Sequence, residues 1–166
     1  MRALLASLLT VALAAPVFAQ DQNIAETAKA AGQFNTLCKA VEAAGLGETL
    51  KGEGPYTVLA PTDEAFEKLP EGALEELLKP ENKEKLAGLL KLHIIEGKVS
   101  ASQVQQLGGK SVPTLCPEGS QLRVMSTGGQ VKFQAGGSTA TVIKPDVMAS
   151  NGVIHAIDTV LMPSKE

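Results

Sequence analysis

The chain has 166 residues, 44% hydrophobic, 20% charged and 3% aromatic, with no tryptophan and two cysteines. That length suits one domain of ordinary size, and the apolar fraction is enough to fill a core, which excludes general disorder. A net charge of −3 and scarce aromatic platforms exclude a nucleic-acid binder, which needs a basic surplus against phosphates.

The chain begins with an address. Met1-Arg2 is positive, residues 4–15 are apolar apart from Ser7 and Thr10, and Val17-Phe18-Ala19 sets small residues at the −3 and −1 positions. This is the anatomy of a secretory signal peptide cut near Ala19-Gln20. Residues 1–19 are therefore expected to be removed and residues 20–166 to form a single domain. The competing reading is a buried N-terminal helix. No later apolar run approaches the length of a membrane span, so no transmembrane segment is expected and the mature protein should be secreted or periplasmic.

Ile24 to Ala31 reads as a first helix. Phe34, Leu37, Val41 and Ala44 recur at helical spacing, and Gly45 stops that second helix. Tyr56-Thr57-Val58-Leu59-Ala60 is a short strand of β-formers. Pro61 breaks it, and Thr62 or Asp63 caps a helix that buries Phe66 and Leu69. Leu74, Leu77 and Leu78 mark another helix, ended by Pro80. Leu86, Leu89, Leu90 and His93 form the apolar stripe of the next, so His93 should be buried, hydrogen-bonded and lowered in pKa.

From Lys98 onward the period changes. A short helix at 102–107 precedes a strand at 111–115. Two alternating strands around Gly128-Gly129 form a hairpin, and 139–143 makes another strand. Asn151-Gly152 should supply the positive φ of a tight turn before residues 153–162, an almost continuously apolar strand. Helices followed by antiparallel strands make the fold α+β.

An exported chain can keep disulfides, and Cys38 and Cys116 are the pair available; bridging them would stabilise by about 4 kcal/mol in the chain-entropy model. The competing reading is two free thiols. A zinc site from Cys38, His93, Cys116 and His155 lacks any short paired spacing, so no metal is expected. Ser138, Asp146 and His155 stand in the order of a hydrolase triad, but β-branched residues continue after Ser138 where a strand–turn–helix is needed. Glu71, Glu75, Glu76, Glu81 and Glu84 lie among lysines on helices, the usual pattern of a solvated face. Enzyme is the weaker class.

Read together, three blocks resemble the fasciclin domain family. Residues 34–46 with 56–66, ending Thr62-Asp63-Glu64-Ala65-Phe66, resemble its opening helix and first block. Residues 90–99, around His93-Ile94-Ile95-Glu96-Gly97, resemble its middle block. Residues 150–163, beginning Ser150-Asn151-Gly152-Val153-Ile154-His155, resemble its closing block. The resemblance implies a wedge of mainly antiparallel strands with several helices, adhesion to a protein, matrix or cell-surface partner, no catalytic residues and no cofactor.

It also points to two contact positions. Leu92-His93 stands where members often have Tyr-His, part of a motif implicated in integrin-dependent adhesion. Lys144-Pro145-Asp146-Val147-Met148 matches an adhesion motif of animal members, Glu-Pro-Asp-Ile-Met, at Pro145, Asp146 and Met148, with Val147 for Ile. If this segment binds, Asp146 should be exposed, and Asp146→Ala should leave stability nearly unchanged. In the competing reading, Pro145 and Asp146 shape the start of a strand and Val147 packs inside. The alternative function is an exported small-ligand binder or hydrolase, which a large apolar pocket with convergent polar groups would favour.

Overall fold

The computed structural model describes residues 22–52, 54–116 and 121–163, so the expected signal peptide at 1–19 lies outside the described residues. Three helices open the chain: α1 (Ile24–Ala31), α2 (Asn35–Ala44) and α3 (Gly47–Lys51). A capping box of Asn23 and Glu26 starts α1, and left-handed Gly45 (φ 73°) ends α2, where a side chain would be strained. Strand β1 (Tyr56–Pro61) leads into α4 (Asp63–Glu67), α5 (Ala73–Leu78), a 3-10 turn (Pro80–Asn82) and α6 (Lys83–Leu92). Then come β2 (Ile94–Glu96), α7 (Ala101–Gln106), β3 (Ser111–Val112), β4 (Leu122–Thr127), β5 (Gln130–Ala135), β6 (Ser138–Ala149) and β7 (Gly152–Ile157).

The fold is α+β. The seven strands form one sheet in the order β2-β1-β7-β6-β5-β4-β3. Only β1 and β7 run parallel, in unbroken register from Tyr56↔Gly152 to Pro61↔Ile157; the other pairs are antiparallel. Beyond β3 the chain returns to the opposite edge, where Thr114 bridges Ile95 and the Leu115 N–H donates to the Ile94 carbonyl at 3.0 Å. The sheet thereby curls round on itself.

Alternate residues of a strand face opposite sides, and two cores follow. Val58, Ala60, Ile154 and Ala156 face the helices and pack with Phe34, Leu37, Val41, Leu86 and Leu90. Leu59 and Ile157 face the curled side with Leu122, Val124, Phe133 and Ala140. Every residue of β7 is buried, which is why its sequence lacks the alternation of a half-exposed strand.

Four expectations need correction. The Cys38–Cys116 disulfide is absent: both are free thiols, Cys38 beside the helical core and Cys116 in the curled-side core, on opposite faces of the sheet. The strand expected at 139–143 continues to Ala149 as β6. The strand expected over 153–162 stops at Ile157, because Asp158 turns its carboxylate back onto the Thr141 N–H at 2.9 Å. Lastly, neither Asn151 nor Gly152 has positive φ. Asn151 instead clamps three segments, accepting from the Ile24 N–H at 2.9 Å and donating to the Leu50 and Gly52 carbonyls at 2.6 and 2.9 Å. Gly152 is required by proximity, since a Cβ there would collide with the Tyr56 carbonyl oxygen.

Candidate functional site

β6 pairs with β5 as far as Thr141, and from there to Ala149 its outer edge has no strand partner among the described residues. That is where Pro145, which has no N–H to donate, is tolerated inside a strand. The register with β7 shifts between Val142 and Lys144 and again between Lys144 and Val147. Such bulges bend a strand and re-aim its side chains. Residues 143–146 and Met148 are exposed, while Val147 is half-buried against the helical core. Ile143 and Met148, 52% and 41% exposed, are the exposed large hydrophobic residues among those described.

Asp146 forms the bend. Its φ of 55° is the one positive value at a non-glycine residue among those described. Aspartate tolerates this region better than most residues, at some cost in backbone energy. Two hydrogen bonds hold it there. Its N–H donates to His155 Nδ1 at 3.2 Å, and its Oδ1 accepts from the Ala101 N–H at 2.9 Å, at the start of α7. Asp146 is thus exposed, as a contact residue would be, and also shapes the strand.

The polar chain continues inward. His155 Nε2 donates to the Val99 carbonyl at 2.8 Å. The Val99 N–H donates to Thr57 Oγ1 at 2.8 Å, and that hydroxyl donates to the Gly97 carbonyl at 2.7 Å. Since Nδ1 accepts, the neutral ring carries its proton on Nε2. Burial pushes the His155 pKa down, opposed by the Val99 bond and the Asp146 charge. Both ring nitrogens are engaged, so the Ser138-Asp146-His155 order forms no triad: the Nε2 that would take a serine proton already carries one, donated to Val99.

His93 is 2% exposed and lies away from any surface contact. Its Nε2 accepts from the Leu161 N–H at 3.0 Å and its Nδ1 donates to the Leu89 carbonyl at 2.8 Å, joining the end of α6 to the segment after β7. Burial holds its pKa down at about 4, partly offset by the Leu89 bond. Pro145, Asp146 and Met148 are exposed along one stretch of β6, Val147 packs against the helical core, and His93 lies in the interior away from them.

Two concavities flank the helices. Beside Ile143, a hollow of about 280 Å³ is lined by Gly32, Gln33, Thr62, Asp63 and Glu64. Asp63 does not cap its own helix, which Thr62 does. Asp63 instead caps α2, accepting from the Thr36 N–H at 2.8 Å and from Asn35 Nδ2 at 3.2 Å. Burial would raise its pKa, but these bonds outweigh it and hold the carboxyl low. The second concavity is an apolar cleft between α1, α2 and α3, floored by Val58, Ala60 and Ile154, with room for about 60 Å³. The half-buried Cys38 lines it, its thiol pKa pushed up by burial, and a Lys29–Glu42 ion pair of 2.7 Å stands at the rim. Among the described residues no three histidine, cysteine, aspartate or glutamate side chains are grouped to hold a metal, and no helix is long and apolar enough to cross a membrane.

A curled, mainly antiparallel sheet with most of its helices on one face, α7 on the other and a bulged, exposed strand edge defines an α+β domain. The profile of the Fasciclin domain matches residues 32–163, and the chain belongs to that family. It is 48% identical over 141 residues to protein sll1483 of Synechocystis, covering 85% of this chain and 73% of that one. It is 38% identical over 141 residues to the transforming growth factor-beta-induced protein ig-h3 of Sus scrofa, covering 85% of this chain and 19% of that protein. In fold it is similar to a FAS1 domain pair from the insect cell adhesion molecule fasciclin I, with a TM-score of 0.75 and 18% identity over 85% of this chain. The chain spans about half of that structure, 51%.

Proposed function

We propose that the protein is exported, loses residues 1–19, and acts as an adhesion module that binds a protein, matrix or cell-surface partner through the β6 edge. One observation carries this reading: Ile143 and Met148, the exposed large hydrophobic residues among those described, bracket Lys144-Pro145-Asp146-Val147. Apolar side chains amid exposed polar groups are the usual make-up of a contact patch. Membership of the fasciclin family supports the same reading.

The small-ligand alternative is weaker, because small-molecule pockets are mostly apolar and hold roughly 300 Å³ or more, whereas the apolar cleft offers about 60 Å³ and the 280 Å³ hollow beside Ile143 is lined mainly by Gln33, Thr62, Asp63 and Glu64. A hydrolase is weaker still, with both nitrogens of His155 engaged internally.

The test is attachment of the purified mature chain to cell or matrix surfaces, comparing wild type with an Ile143→Ser, Met148→Ser double variant. Attachment should fall several-fold at unchanged melting temperature; equal attachment by a folded variant would clear the β6 edge. N-terminal sequencing of exported material should begin at Gln20.

A further inference from the structure

We propose that His155 is a proton-operated latch on the β6 bulge: neutral, it holds the Lys144–Val147 bend closed, and protonated, it releases it. The proposal concerns the conformation of the segment and stands apart from what the segment binds.

The geometry is a donor–acceptor chain with one place where a proton reverses it. In the neutral ring Nδ1 is an acceptor, and the Asp146 N–H donates to it. Nε2 is committed to the Val99 carbonyl, so an incoming proton has only Nδ1 to occupy. Once there, two N–H donors confront each other across a contact that is 3.2 Å when the bond is made. The bond cannot survive, because an imidazolium has no acceptor site.

The surroundings decide where the strain goes. The ring shares a small pocket with Ala101 and Val104 of α7, Val131 and Phe133 of β5 and Val142 of β6, none of which carries charge. Lys98 and Lys144, on the loop and strand beside it, are exposed. Asp146 is the charged group that acts on the ring, and it favours the proton. Its carboxylate is now held by the Ala101 N–H. A charged ring competes for that carboxylate, so the same event that removes the acceptor from the Asp146 N–H also weakens the tie to α7. Asp146, at φ 55°, lies within the second of the two register shifts, and a backbone of that kind persists only while its surroundings hold it. The regular side of β7, by contrast, is locked by its pairing with β1.

The test is NMR on the full mature chain from pH 7.5 to 4.5. The Asp146 and Ala101 amide resonances should move in step with the His155 ring, sharing one midpoint below the ordinary histidine value, and exchange protection at Asp146 should drop at least tenfold. The Leu161 amide, bonded to His93, should hold its position until the acid end of that range, where His93 itself begins to titrate. A His155 titration that leaves the Asp146 amide unmoved would overturn the proposal.

Two variants separate the groups. His155→Gln, which offers an acceptor and a donor but takes no proton, should abolish the step; a step that persists there would overturn the proposal. Asp146→Asn keeps the backbone N–H and the capping oxygen but not the charge. In it the step should persist at lower pH, whereas its disappearance would assign the transition to the carboxylate and overturn the latch.

Discussion

β7 has a different neighbour on each side. Toward β1 the register is unbroken from end to end and every partner except Tyr56 is buried. Toward β6 it shifts twice within a few residues, and the strand opposite is exposed for most of that stretch. Both sides use backbone hydrogen bonds, yet only one is also pressed between two cores. Regular pairing buried on both faces fixes the fold, and irregular pairing at a solvent edge leaves side chains free to be presented.

That contrast should appear first as stability. Gly152→Ala would press a methyl group into the Tyr56 backbone, where no rotamer change gives relief. It should cost more than about 3 kcal/mol, read by urea unfolding; a mild effect would mean the parallel pairing is looser than its register implies.

Acid comes next. His93 stays neutral in the folded chain down to about pH 4, while an unfolded histidine takes up its proton near 6.5. Between those values the unfolded state binds more protons, so stability present above pH 6.5 is lost as pH falls toward 4. For His93 the loss is about 3 kcal/mol, and His155, lowered in the same direction, adds to it. Urea midpoints unchanged between pH 7 and 4.5 would contradict the burial of both rings.

On the β6 side the effects shrink. Asp146→Ala removes the acceptor for the Ala101 N–H and puts alanine at φ 55°. A loss of about 1–2 kcal/mol is expected, measured by thermal melting. The sequence reading expected almost none, because motif resemblance marks a contact residue without revealing what else it holds. Smallest of all, Met148→Ser alone should change stability by no more than about 0.5 kcal/mol.

Much of this was legible beforehand, for local reasons. Apolar periodicity found α2 and α6, Gly45 marked a helix end, and Gly128-Gly129, both at positive φ, make the expected hairpin turn. The burial of His93 followed from its place on an apolar stripe. What escaped depended on contacts distant in sequence. Asn151-Gly152 looked like turn chemistry, but the amide serves as a clamp on Ile24, Leu50 and Gly52, and the glycine makes room for Tyr56. The sequence leaves Thr62 or Asp63 as the cap of the helix that follows; Thr62 takes that place, and Asp63 caps one that starts at Asn35. Thr57, central to the polar chain behind β6, was hidden among β-formers. The cysteines could be counted from the sequence but not assigned to opposite faces of the sheet.

The return of the chain from β3 to β2 bears on how such a domain meets other molecules. An open sheet offers its outermost backbone to any extended peptide, which invites strand addition and self-association. Here Thr114 and Leu115 occupy the backbone groups of Ile95 and Ile94 that an incoming strand would need. A visitor at that seam finds the hydrogen-bonding positions already taken, so two copies have little means of zipping together there.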